Sequence, residues 1–342
     1  MTEPRPVVGG RMTRRSVMQR AAATAVVPLV AGPRVAEAPP RYGSPSVAAL
    51  DRRLRSRFAT NHGVRLHYEI AGSGPLILFV HGFPAWWGTW REVMAPLADR
   101  FAVAAMDTRG YNLSDKPVGV GNYEPLILAG DLGAVIEHAG YRSATVVGHD
   151  WGGALSWILA FAEPRLVDRL VILNVPHPWA LMRQLADDPR QRAASAYVRE
   201  LCQPGALSRP LPAQLGGGPF TPENLAKQLH RVGSPAYRLD VAALRRTSLQ
   251  AALNYYIAGY PAPPYRDPAS NPPQVKAPTL VIYGREDPHL LVDGLDQTWD
   301  YIEPSVEIRV IAGVGHWVQL RARAIVNATI HDWLARTPAR FS

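Results

Sequence analysis

The chain of 342 residues has one cysteine, Cys202, which excludes any internal disulfide. None of its ten histidines falls in an H-x-H or H-x-x-x-H pair, so a metal site has no local signature and no metal or other cofactor is expected. The apolar stretch near the start, Ala21 to Val30, is far short of the ~20 residues a bilayer-spanning helix needs, which excludes a stable membrane span there. No internal repeat is visible. The formal charge of +9 is also misleading. Residues 1–57 hold eleven Arg against Glu3, Glu37 and Asp51, and the remaining 285 residues are nearly neutral. A basic patch on the folded part is not supported, and no nucleic-acid partner is expected.

The basic leader has an account of its own. "TRRSVM" (Thr13 to Met18) precedes the apolar stretch, and "AEA" (Ala36 to Ala38) follows it. A charged start, a short apolar core and a small-residue site describe an export signal, and the Arg14-Arg15 pair resembles a twin-arginine one. Residues 1–38 are therefore expected to direct export to the periplasm or beyond. Pro39 is a poor context for cleavage after Ala38, and a basic tail on a cytoplasmic protein is the alternative reading. Residues 39–57, rich in Pro, Arg and Ser, read as a linker.

From Phe58 onward short apolar runs alternate with helical spacing. "VRLHYEIAG" (Val64 to Gly72) alternates like an edge strand. "LILFV" (Leu76 to Val80), "FAVAAM" (Phe101 to Met106), "ATVV" (Ala144 to Val147), "LVIL" (Leu170 to Leu173), "TLVIY" (Thr279 to Tyr283) and "VEIRVI" (Val306 to Ile311) are continuous apolar runs or nearly so. Such strands, separated by helical segments such as Leu126 to His138, imply an α/β fold with a mostly parallel sheet flanked by helices. The alternation stops between Pro176 and Pro273, where helix-like pieces (Ala193 to Cys202, Pro222 to Val232, Val241 to Tyr256) lie among many Pro and Gly. Residues 58–176 and 274–342 thus read as the core, and 177–273 as a helical lid inserted after the sixth sheet strand, over the strand ends where ligands bind in such sheets.

"VVGHDWGG" (Val146 to Gly153) carries the chemistry. A buried strand runs into Gly-x-Asp-x-Gly and then an apolar helical stretch, the frame of a nucleophile elbow. The exposed residue of that frame is usually Ser; here it is Asp150. A carboxylate can attack the carbon of a strained ring and form an ester, without a base to deprotonate it at neutral pH. Serine would leave an ether that water does not readily cleave, whereas the Asp ester is hydrolysable.

"HGFP" (His81 to Pro84), "DTRGYNLSDKP" (Asp107 to Pro117), "GHDWGG", "NVPHP" (Asn174 to Pro178), "GREDP" (Gly284 to Pro288) and "GVGHW" (Gly313 to Trp317) follow in order. Together, over residues 60–335, they resemble the α/β-hydrolase-fold epoxide hydrolases. The resemblance implies Asp150 as nucleophile, His316 as the base that activates water, and Asp287 as the acid that orients His316, with Asp293 and Asp296 as nearby substitutes. It implies an oxyanion hole from the backbone N–H groups of Phe83 and Trp151. His81 is expected to brace its loop, and His149 to be a packing residue. Two lid tyrosines are implied as donors to the epoxide oxygen: Tyr197 in "AYVRELCQPG", and Tyr256 in "LNYYIAG", with Tyr255 as a possible exchange. Trp86, Trp87, Trp90, Trp151 and Trp179 cluster around these motifs. Trp86, Trp179 and Tyr255 are expected in a pocket for a small apolar epoxide, with water as co-substrate. The sequence departs from the pattern at Ala85, where an acid is common, at Asn112, where Gly is usual, and at Arg321 and Arg323 in place of an acid and a proline.

Two other readings stand beside this one. A haloalkane dehalogenase uses the same Asp and His, but needs N–H donors for a halide, and Phe83 offers no side-chain donor. The phenols of Tyr197 and Tyr256 suit an oxygen leaving group better. A non-catalytic binding protein of the same fold would not need Asp150, Asp287 and His316 together.

Overall fold

The structure, a computed structural model, describes residues 46–268 and 272–340. The expected leader, residues 1–38, lies outside the described residues.

Eight strands form one sheet: β1 (Arg55–Asn61), β2 (Val64–Ala71), β3 (Leu76–Val80), β4 (Ala102–Met106), β5 (Ala144–His149), β6 (Val167–Leu173), β7 (Thr279–Gly284) and β8 (Val306–Ile311). Their order is β1-β2-β4-β3-β5-β6-β7-β8. β1 and β2 pair antiparallel, β2 lies antiparallel to β4, and every other pairing is parallel. Strands β3 to β7 are buried at every residue. That burial is why their sequences run continuously apolar instead of alternating. Alternate side chains of β3 enter two cores, Leu76, Leu78 and Val80 one of them, Ile77 and Phe79 the other.

Helix α1 (Val47–Arg53) and α2 (Arg91–Met94) contribute Leu50, Val93 and Met94 to the second core. Helices α3 (Pro125–His138) and α4 (Trp151–Ala162) bury Leu132, Val135, Leu155 and Leu159 in the first. Residues 47–57, expected as linker, are instead α1 and the start of β1. Ser46 caps α1 by accepting from Ala49 N–H, Leu50 is fully buried, and Arg53 and Asp51 pair with Asp99 and Arg91. The arginines that gave this segment its linker-like composition point outward, while one leucine anchors it.

Between β6 and β7 the described residues hold α5 (Pro178–Asp187), α6 (Pro189–Ala194), α7 (Ala196–Leu201), α8 (Pro222–Ala226), α9 (Pro235–Arg246) and α10 (Leu249–Gly259), and no named strand. Four of them start with Pro at the first turn, where a missing N–H costs nothing. The stretch Val241 to Tyr256, read from sequence as one helix, is broken at Thr247–Ser248. The Ser248 hydroxyl accepts from Ala251 N–H and begins α10 there. The chain ends in α11 (Val318–Arg321) and α12 (Arg323–Arg336), which seals the second core with Val326, Ile330 and Trp333.

Candidate active site

β5 ends at His149, and α4 begins at Trp151, leaving Asp150 as the one residue of the turn. Its backbone sits at φ 54°, ψ −126°, a conformation that costs a non-glycine residue about 1–3 kcal/mol and persists only where its surroundings impose it. The surroundings are glycine-built. A Cβ at Gly82 would overlap the Asp150 carboxylate, and one at Gly152 would strike the Val80 carbonyl. Only bare backbone permits the elbow to sit this close to the loop after β3.

That loop supplies the first contact. The Phe83 N–H donates to Asp150 Oδ1 at 2.7 Å, and the Trp151 N–H contributes to lowering the carboxyl pKa. His81 holds the loop in place: its Nε2 accepts from Thr108 N–H at 3.1 Å, and its Nδ1 lies 3.0 Å from the Gly82 carbonyl. The other carboxylate oxygen, Oδ2, faces His316 Nε2 at 3.5 Å. Burial works to raise the Asp150 carboxyl pKa, but the hydrogen bond and charge of His316 outweigh it and hold the group ionised.

His316 follows β8, in the turn before α11, and Asp287 follows β7. Their rings and carboxylate meet at 2.8 Å, from His316 Nδ1 to Asp287 Oδ2. Asp287 is fixed from all sides: Oδ1 accepts from His289 N–H (2.9 Å) and Leu290 N–H (3.1 Å), Oδ2 from Asn174 Nδ2 (2.8 Å). Burial alone would lower the imidazole pKa of His316. The Asp287 charge and the bonds to Asp150 and Asp287 reverse this and raise it to about 10. At rest the site therefore holds an imidazolium between two carboxylates. His149 is the opposite case: burial and the neighbouring His316 push it down to about 3, so it is neutral. Its Nε2 lies 2.9 Å from the His316 carbonyl oxygen and steadies that turn.

Asp293 and Asp296, the substitute acids, lie in and after the 3₁₀ turn Val292–Leu295; Asp293 contacts Arg190, 3.2 Å away. Asp287, by contrast, bonds His316 directly.

A cavity of about 120 Å³ opens over Asp150. Its walls are Trp151, Ala154, Ile158, Val175, Leu181, Met182, Leu290 and several prolines, with Tyr197, Tyr256 and Tyr260 as the polar groups that line it together with the carboxylate. Burial drives the Tyr197 and Tyr256 phenols well above their ordinary pKa, so both are protonated donors at neutral pH. Tyr260 was not anticipated from sequence; its hydroxyl donates to Ser195 Oγ at 2.7 Å. A larger cleft of about 280 Å³, beside α7, is lined by Arg199, Glu200 and Arg209 and contains no nucleophile–base pair.

Three side chains expected in the pocket lie elsewhere. Tyr255 turns away from the cavity and donates to the Arg109 carbonyl at 2.7 Å, packed against Tyr111, Tyr123 and Trp151. Adjacent residues on a helix point about 100° apart, so only one of the Tyr255–Tyr256 pair can face the carboxylate. Trp86 swings toward α9, where its indole N–H donates to Asp240 Oδ1 at 2.9 Å. Trp179 packs on Phe161 and His177. Trp87 stacks edge-on with Trp86, and Trp90 packs in the second core on Phe79.

The departures from the family pattern have local explanations. Asn112 replaces Gly at φ 37°, a region Asn tolerates, and its amide bonds Asp107 and Arg246. Arg321 donates to the Gln228 carbonyl and Arg323 faces Glu92, both away from the triad. Ala85 packs with Leu229 and Trp317. Asn174, at φ 49°, went unassigned in sequence although it opens a quoted motif; it bridges Asp287 and the Gly284 N–H.

A carboxylate on an elbow, an imidazole after the last strand and a second carboxylate after β7, on a mostly parallel eight-stranded sheet, are the arrangement of a hydrolase of the α/β-hydrolase fold. A family model described as alpha/beta hydrolase fold matches residues 75–322. Epoxide hydrolase 1 of Caenorhabditis elegans is 31% identical over 298 residues, 82% of this chain and 70% of that protein. An epoxide hydrolase of Bacillus megaterium, solved with an inhibitor, superposes with a TM-score of 0.72 at 28% identity, over 82% of this chain and all of that one. A structure titled for novel epoxide hydrolases from metagenomes of hot environments gives 0.69 at 33% identity, over 83% and 98%. The chain belongs to the α/β-hydrolase-fold family of epoxide hydrolases.

Proposed function

We propose that the protein hydrolyses small, uncharged, apolar epoxides to vicinal diols through an ester on Asp150. The observation that carries this is the carboxylate's asymmetry: Oδ1 is held by the Phe83 N–H, while Oδ2 faces His316, and the same carboxylate lines one cavity with two buried phenols, Tyr197 and Tyr256. Oδ2 attacks a ring carbon, the C–O bond of the epoxide breaks, and the alkoxide takes a proton from Tyr197 or Tyr256. The ester carbonyl is then C=Oδ1, already on the Phe83 N–H, with the Trp151 N–H next to it in the chain as the second donor. Water, giving its proton to His316, adds to this carbonyl; the two N–H groups receive the oxyanion. Collapse expels the diol with Oδ2 in it and restores the carboxylate.

The cavity wall supports the substrate class. At about 120 Å³ it is below the ~300–1,000 Å³ of pockets for drug-sized ligands, and no Lys or Arg lines it. The Trp151 indole meets the Tyr256 ring edge-on, centroids 5.2 Å apart, so a phenol stands beside the indole that a halide would use as a donor. The helices α5–α10 act as the lid. Single-turnover reaction in ¹⁸O-labelled water tests the route: unlabelled diol is expected, since its new oxygen comes from Asp150. Full labelling in that turnover means direct attack by water. A panel of epoxides beside 1-haloalkanes, reading diol against halide, separates the leaving groups.

Residues 1–38 are proposed as a twin-arginine export leader. Fused to a reporter, they are expected to deliver it across the inner membrane, and Arg14→Lys with Arg15→Lys to stop this; export that survives the double change excludes the twin-arginine route.

A further inference from the structure

The resting charge state poses a problem that the triad alone does not solve. His316 is protonated at rest, yet it must be neutral to accept a proton from water. Ring opening leaves a phenolate that must recover a proton. These are the same proton. Esterification removes the Asp150 charge, one of the two anions that hold the proton on His316, at the moment the phenolate forms.

His289 stands between the two. Its ring meets His316 edge-on, centroids 5.2 Å apart at 89°, and meets Tyr197 edge-on, also at 5.2 Å, at 66°. Rings at that separation are in van der Waals contact. Its backbone is pinned at both ends, the N–H on Asp287 Oδ1 and the carbonyl accepting from Gln191 Nε2 at 2.8 Å. The ring itself is not pinned: Nδ1 is buried with no hydrogen-bond partner. His149 Nδ1 and His177 Nε2 share that state, but of the three rings only that of His289 touches both His316 and Tyr197. The titratable groups facing it are His316, Tyr197, Asp287 and Asp150. Burial and the His316 charge lower it to about 4, so it is a neutral imidazole, with one donor and one acceptor nitrogen.

We propose that His289 relays a proton from His316 to the Tyr197 phenolate between the two half-reactions. The N–H of His316 breaks as one nitrogen of His289 gains a proton; the other nitrogen's N–H breaks as the Tyr197 O–H re-forms. His289 ends neutral in the other tautomer, and rotation of its unpinned ring resets it. His316 is left neutral, ready for the water, and hydrolysis returns it to the imidazolium as Asp150 becomes a carboxylate again. No oxidant, metal or outside acid is needed.

This inference rests on the ester route, and the test separates the two. In the full-length enzyme with His289→Phe, which keeps ring volume, ester formation on Asp150 is expected at the parental rate, by rapid-quench mass measurement. Ester hydrolysis is expected to slow by about 10²-fold or more, the scale of a lost proton-transfer group. The ultraviolet difference signal of tyrosinate should persist with the ester, and added imidazole should restore hydrolysis. His289→Gln, polar but unable to carry a proton, should behave alike and serves where the Phe variant does not fold. Parental ester hydrolysis in either variant overturns the relay, as does a loss of ester formation equal to the loss of hydrolysis. Absence of any ester in the parental enzyme would instead overturn the ester route.

Discussion

His316 Nδ1 lies 2.8 Å from Asp287 Oδ2, and this contact turns the ring so that Nε2 faces Asp150. Asp287 thus aims the imidazole at the Asp150 carboxylate oxygen that the Phe83 N–H leaves free. In the proposed route His316 acts only after the ester has formed.

Removing His316 should therefore trap the ester. With His316→Ala and a reactive epoxide, intact mass is expected to rise by one substrate, with the adduct on the peptide containing Asp150. Adding Asp150→Ala should abolish the adduct. An adduct that survives the second change would place the nucleophile elsewhere.

Tyr197 and Tyr256 should act on the other half-reaction. Either one changed to Phe is expected to slow ester formation by about 10²-fold or more, as loss of an oxyanion-type donor does. Burst kinetics with a chromogenic epoxide would measure it. Unchanged ester formation in both variants removes the phenols from the chemistry.

The pH dependence of stability follows from the charge on His316. Among the influences that raise its pKa from 6.5 to about 10, the Asp287 charge is the largest. A raised basic group contributes stability that is whole below its unfolded value and is lost as pH rises through the folded one. The contribution is thus present at pH 6.5 and gone above about 10. Asp287→Asn, which weakens the hold on that proton, is expected to flatten the fall in unfolding free energy across this window. Urea titrations of both proteins at three pH values would show it; equal slopes would mean Asp287 does not hold the proton. Activity of the same variant is expected to fall by about 10⁴-fold, because Asn leaves the imidazole in the wrong tautomer and uncharged partner.

The start of the folded chain can be located by truncation. A protein beginning at Ser46 keeps the cap of α1 and the buried Leu50, and is expected to match the full chain in its denaturation midpoint. One beginning at Ser56 loses both, along with the Arg53–Asp99 and Arg91–Asp51 pairs. Loss of a buried leucine alone costs about 2–5 kcal/mol, so a clear drop in the midpoint is expected. Identical midpoints would make α1 an appendage.

Asp150, Asp287 and His316 were legible in sequence because each stands in a short motif at a strand end, where local turn chemistry sets the backbone. Continuous apolar runs likewise determined a doubly covered, mostly parallel sheet, since no exposed face demands polar residues. What lay beyond the sequence was direction. Tyr255 and Tyr256 are neighbours on α10, and their identity is the same; packing of that helix against Tyr111, Tyr123 and Trp151 decided which of them faces Asp150. Trp86 adjoins the loop after β3 in sequence, yet an acceptor 154 residues away, Asp240, decided where its ring points. Asn174, Tyr260 and His289 come to the site from three separate segments; Asn174 opens a motif that gives no hint of its partner, and no motif contains the other two. Side-chain identity and backbone turns are local properties, carried by a few consecutive residues. Which face of a helix meets a cavity, and which distant group a polar atom finds, depends on how whole elements pack, and only the tertiary structure decided that.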